Sequence, residues 1–230
     1  MKKTYTAACL LGASIVGPMT HGCASEHGRP HHQSGHMQHR FDDAEHWSAV
    51  FDAPERDAWQ RPDWVVSTLV TRPDLRIVDI GAGTGYFAVR FARAAPRGQV
   101  VGADIEPTLI AHLQARAQRE ALGNVVTQLG TPDDPALGAF AGKVDLIFVC
   151  DTYHHIGERV AYFTRLRALL APGGRLAIVD FKLDSPRGPP QTHKLAPEVV
   201  LAELAQAGFT LVTHHDGLPD QYLLELAPTP

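Results

Sequence analysis

Val78-Asp79-Ile80-Gly81-Ala82-Gly83-Thr84-Gly85-Tyr86-Phe87 is the stretch on which the fold turns. An apolar run, Arg76–Ile80, enters it as a strand, and Tyr86–Ala95 leaves it as a helix. Glycines packed this densely between a strand and a helix tighten the turn and let backbone approach a ligand. The helix start beyond them offers free N–H groups and positive potential to an anionic group.

Working outward, the pattern alternates. A helix opens at Pro62 and runs through Leu69. Strands follow at Gln99–Asp104, Val125–Leu129, Val144–Cys150 and Arg175–Asp180, with helices at Pro107–Leu122, Arg159–Leu170 and Pro197–Ala207 between or after them. The first of these helices is read as ending on a left-handed cap at Gly123–Asn124, the second on the Pro172-Gly173-Gly174 turn. Val144–Cys150 is apolar throughout, as a strand covered on both faces must be. Phe209–Thr213 and Gln221–Leu226 are joined by a short link with Gly217 and Pro219, which implies an antiparallel pair. Upstream, residues 41–58 carry Trp47, Val50 and Phe51 among charges and suggest one or two short helices. The expectation is an α/β fold, doubly wound, with a mostly parallel seven-stranded sheet and an antiparallel C-terminal strand.

The glycine spacing separates two cofactor classes. A dinucleotide fingerprint is G-x-G-x-x-G, and here the third glycine comes one residue sooner, with Tyr86 in the dinucleotide position. That opposes an NAD-dependent dehydrogenase. Asp79 followed by Gly81, Gly83 and Gly85 resembles motif I of the class I S-adenosylmethionine (SAM)-dependent methyltransferases. The resemblance runs from Pro62 to Leu226, through the 144–150 strand, Leu170-Ala171-Pro172-Gly173-Gly174-Arg175-Leu176 and Ala207-Gly208-Phe209, in family order. It implies that SAM is the cofactor and that the glycine loop holds its methionine end, with Asp79 near the amino group. Asp104 ends the next strand at the interval where an acid meets ribose hydroxyls, and Ile105 would lie against adenine. The family's usual Gly-Asp-Ala after the third strand is replaced by Gly130-Thr131-Pro132-Asp133, which leaves Thr131 or Asp133 to contact adenine.

Open α/β sheets place their chemistry at the C-terminal edge of the strands. Cys150-Asp151-Thr152-Tyr153-His154-His155 stands at that edge, and small-molecule members of the family carry a similar histidine pair. Asp151 and His154 are read as catalytic, positioning the acceptor or removing its proton, with Tyr153 lining the pocket; His155 is read as a cap or packing residue. Asp180 in Ile178-Val179-Asp180-Phe181 raises magnesium with Asp151 as an alternative. Phe181, where metal-dependent members have asparagine, favours the metal-free reading. A SAM-binding or metal-handling lipoprotein without transferase activity is the rival class.

The chain has 230 residues, 44% hydrophobic and 20% charged, with a formal charge of −4. It offers no electrostatic footprint for nucleic acid. Lys2 and Lys3 precede a short apolar run, Ala7 to Gly17, and small residues follow at Gly22, Cys23 and Ala24. Residues 1–24 are read as an export-type leader, with Cys23 a possible lipidation site and membrane tether. Location in the periplasm or on a membrane would follow; a leader retained in the cytoplasm is the alternative. Seven of the thirteen histidines fall between His21 and His46. Residues 25–46 are read as a disordered linker, with loose binding of zinc, copper or nickel as the sharper reading. Residues 47–230 are assigned to the methyltransferase domain. The acceptor is expected to be a small molecule.

Overall fold

The computed structural model describes residues 43–230; the leader and most of the histidine tract lie outside them. Asp43 accepts from the His46 N–H at 3.0 Å and caps α1 (Ala44–Phe51), so helix begins inside the stretch assigned to the linker. Two more short helices follow, α2 (Glu55–Gln60) and α3 (Pro62–Leu69). Then come β1 (Arg76–Ile80), α4 (Ala88–Ala94), β2 (Gln99–Asp104), α5 (Pro107–Arg119) and β3 (Val125–Leu129). The second half holds β4 (Val144–Cys150), α6 (Arg159–Arg167), β5 (Leu170–Phe181), α7 (Pro197–Gln206), β6 (Phe209–His215) and β7 (Gln221–Pro228).

Seven strands form one sheet in the order β3-β2-β1-β4-β5-β7-β6. Every pairing from β3 to β5 is parallel, while β7 runs antiparallel to both β5 and β6. Side chains alternate across a strand, so the central strands β1, β2, β4 and β5 feed two cores. Val78, Val101, Ile147 and Ile178 face one layer with Phe163 and Leu166 of α6 and Val200 and Leu204 of α7. Ile77, Val100, Phe148 and Val179 face the other, with Val65 and Leu69 of α3 and Val89 and Phe91 of α4. This two-sided burial explains the unbroken apolar text of β4.

Most boundaries of the sequence reading hold or shift by one or two residues, and three differ by more. The left-handed residue after α5 is Ala121 (φ 54°), not Gly123, and the Leu122 N–H returns to the Ala117 carbonyl, closing the helix three residues early. α6 stops at Arg167, because Leu170 already pairs with Val144 in the sheet. β5 then passes through Pro172-Gly173-Gly174 as an irregularity, and pairing resumes at Arg175 beside Leu146. The turn residues interrupt the ladder without ending the strand.

Candidate functional site

The glycine loop leaves β1 and is tied at once to the neighbouring strand. Gly81 and Ala82 both donate to the Ala103 carbonyl, at 2.8 and 3.1 Å. Gly81, Gly83 and Gly85 all have left-handed backbone, with φ of 71°, 55° and 90°. Their every-other-residue spacing is therefore conformational, since other residues enter this region at a cost.

Asp104 closes the loop from the end of β2. Its Oδ2 accepts from the Gly83 N–H at 2.9 Å, and its Oδ1 from Ile105 and Glu106 at 2.7 and 3.0 Å. Burial pushes this carboxyl above its ordinary value, and the three N–H donors pull against that shift. Ile105 is 49% exposed and Leu129, paired in register with Asp104, is 45% exposed, two apolar side chains left open beside one carboxylate. Thr131 makes a turn with Asp134, its N–H donating to the Asp134 carbonyl at 2.7 Å. Thr131 and Asp133 are both exposed, and the backbone carbonyl of Asp133 accepts from Arg165.

Asp79 is buried at the end of β1, with one backbone donor, Ala88. Burial, with the nearby Asp104 charge, pushes its carboxyl up to about 8. Arg56, the cation whose charge reaches it, is ion-paired to Asp151 instead, at 3.3 Å.

Asp151 follows β4 in left-handed backbone (φ 54°), its N–H held by the Val179 carbonyl at 3.0 Å. An aspartate held there is strained, and such outliers gather where a side chain must be aimed. Its carboxylate meets Arg56 from α2 and accepts from Gln221 at the start of β7. Gln60, fully buried in α2, donates to Gln221 at 2.5 Å and to Cys150 Sγ at 3.3 Å. Burial raises the Asp151 carboxyl to about 6, against the pull of Arg56.

His154 Nδ1 lies 2.9 and 3.0 Å from the two Asp180 oxygens, and both side chains are almost wholly buried. Burial alone would lower the imidazole; Asp180, by hydrogen bond and charge, and Asp151 outweigh it and leave the group raised. Asp180 also accepts from the Phe181 N–H at 2.8 Å. The His154 and His155 rings lie 4.2 Å apart.

Tyr153 is placed differently from its sequence reading. Its ring is fully buried against Phe163, and its hydroxyl donates to Glu203 of α7 at 2.7 Å, an acid also held by Arg159. The turn after β4 is a single tight 3-10 turn, Tyr153–His155, which sends Tyr153 into the core. It does not line an open pocket. Arg56, Gln60 and Gln221, which the sequence reading missed, complete the surroundings of Asp151. Among the described residues, no group of three or more His, Cys, Asp or Glu side chains is placed to hold a metal ion.

Known proteins resemble this chain in sequence and in fold. Residues 78–176 match the family described as a methyltransferase domain. A demethylmenaquinone methyltransferase of Thermus thermophilus is 32% identical over 54% of this chain and 54% of its own length. Nocamycin O-methyltransferase of Saccharothrix syringae is 30% identical over 64% of this chain and 56% of its own. The chain thus spans about half the length of these curated relatives. A SAM-dependent methyltransferase from Aquifex aeolicus shares the fold, with a TM-score of 0.74 and 20% identity over 80% of this chain and 97% of that one. From β1 into β5 the chain matches the methyltransferase-domain family, and the sheet that carries this match has the Rossmann-like methyltransferase fold.

Proposed function

We propose that this protein binds SAM along the Gly81–Gly85 loop and Asp104 and methylates a small-molecule acceptor at Asp151 and His154. The observation that carries the reading is the left-handed glycine loop held against Asp104 by the Gly83 N–H, within the region that matches a methyltransferase domain. The residues present fit the cofactor. Asp79 is a buried carboxyl suited to an amino group, Asp104 has the two oxygens a ribose diol requires, and exposed Ile105 offers an apolar face for adenine. Thr131 and Asp133 stand at the adenine end. Bound SAM supplies a methyl group activated by its sulfonium; this chain's task is to orient the acceptor and take up its proton. Relatives named for quinone and O-methylation support a small-molecule acceptor.

Isothermal titration with SAM tests the reading, with NADH as control. Binding of SAM and not NADH is expected. Replacing Asp104 with Ala should weaken binding about tenfold to a hundredfold, the cost of about 1.5–3 kcal/mol for lost hydrogen bonds to a charged group. A folded wild type that ignores SAM would overturn it.

We also propose that residues 1–24 act as an export leader. The basic start and short apolar run support this. Mass spectrometry should find a mature N-terminus at Ser25, or a lipid-bearing Cys23; an intact Met1 in the cytosolic fraction would refute both.

A further inference from the structure

We propose that Asp180 is a positioning residue that fixes His154 in the Nδ1–H form and leaves Nε2 open as the base toward the acceptor. This rests on the proposed transferase reading and deepens it. Asp180 ends β5 and His154 lies in the turn after the adjacent β4, so two parallel strands set their separation. Both carboxylate oxygens lie within hydrogen-bond distance of Nδ1. A carboxylate accepts only, so the shared proton belongs to the imidazole at Nδ1 and the lone pair falls on Nε2.

Nε2 has no partner among the described residues. The His154 side chain is 4% exposed, and with Nδ1 taken by Asp180 the ring nitrogen left for an acceptor is Nε2. The groups acting on the ring are Asp180 from β5, Asp151 from the turn after β4, Arg159 from α6 and the His155 ring beside it.

The chemistry selects an acceptor class. A hydroxyl or enol must lose its proton as its oxygen is alkylated. Its O–H bond breaks and the proton bonds to Nε2, while an electron pair on the oxygen forms the new bond to the methyl carbon as that carbon's bond to the cofactor sulfur breaks, its pair leaving with the neutral thioether. The imidazolium so formed is met by Asp180 and later returns its proton to water. A thioether acceptor, with no proton to lose, would not use this pair.

The test is long-range 1H–15N correlation on the 15N-labelled protein, with His154 assigned by comparison with His154→Gln. The neutral ring should show Nδ1 protonated and Nε2 bare, and Asp180→Asn should lower its titration midpoint by about one pH unit or more, a tenfold loss of proton affinity. Diethyl pyrocarbonate followed by peptide mapping should modify His154 in the wild type, which holds even if Asp180→Asn fails to fold. An Nε2–H ring, an unmoved midpoint in folded Asp180→Asn, or a His154 inert to the reagent would each overturn the proposal. SAM titration is read separately, so either reading fails without the other.

Discussion

Burial and the Asp104 charge push the Asp79 carboxyl up to about 8 against the pull of Arg56, and so favour its protonated form at neutral pH. The folded state keeps a proton that the unfolded chain releases near the ordinary value of 3.8, so this group's contribution to stability declines as pH rises from about 4 toward 8. A cation arriving beside Asp79 reverses the preference and expels the proton. SAM binding at pH 7 should therefore release up to about one proton, read from calorimetric heats in buffers of different ionisation enthalpy. Asp79→Asn should abolish that release and flatten the pH dependence of the urea midpoint. At this scale the tight turn at Gly81 and Gly83 was legible, because there the residue type itself sets the backbone. The sequence reading misplaced Tyr153, whose direction depends on one turn of 3-10 helix. It was silent on Arg56, Gln60 and Gln221, which reach Asp151 from elements 95 and 70 positions away or through each other across 161. The one local hint was the Arg56–Gln60 bond at helical spacing, 3.1 Å.

The loop as an element separates two glycines that look alike in the text. A β-carbon on Gly81 would lie 2.2 Å from Thr152 Oγ1, whereas one on Gly83 would meet Phe51 at 3.5 Å, an ordinary contact. Gly83→Ala should thus cost little beyond its left-handed backbone, about 1–2 kcal/mol. Gly81→Ala adds a clash with the segment that carries Asp151 and should cost clearly more, with urea unfolding as the measure. Equal losses would show that the loop does not lean on Thr152. The strands themselves were legible because apolar runs bounded by turn residues leave few alternatives. β1 to β4 fall where the text places them. β5 was shortened because Pro172-Gly173-Gly174 signals a turn locally, while pairing with β4 carries the chain through it.

At the scale of the whole molecule, the sheet order puts both halves of the site along one edge: the glycine loop and Asp104 after β1 and β2, Asp151 and His154 after β4. A ligand bound across that edge stabilises the fold by mass action. SAM at a hundred times its dissociation constant should add about 2.7 kcal/mol, a rise in melting temperature of roughly 5–10 °C for a domain of this size. Scanning fluorimetry with and without SAM checks this, and Asp104→Ala should forfeit most of the shift.

The position of β7 has a consequence for how the protein is made. β6 reaches the sheet only through β7, and Asp151 is braced by Gln221 at the first position of that strand. On the ribosome, β6 therefore emerges with no neighbour to join, and the brace on Asp151 arrives later than every other described element. A nascent chain halted before Gln221 would hold the Asp151 carboxylate by Arg56 alone, without the amide that braces it in the finished fold.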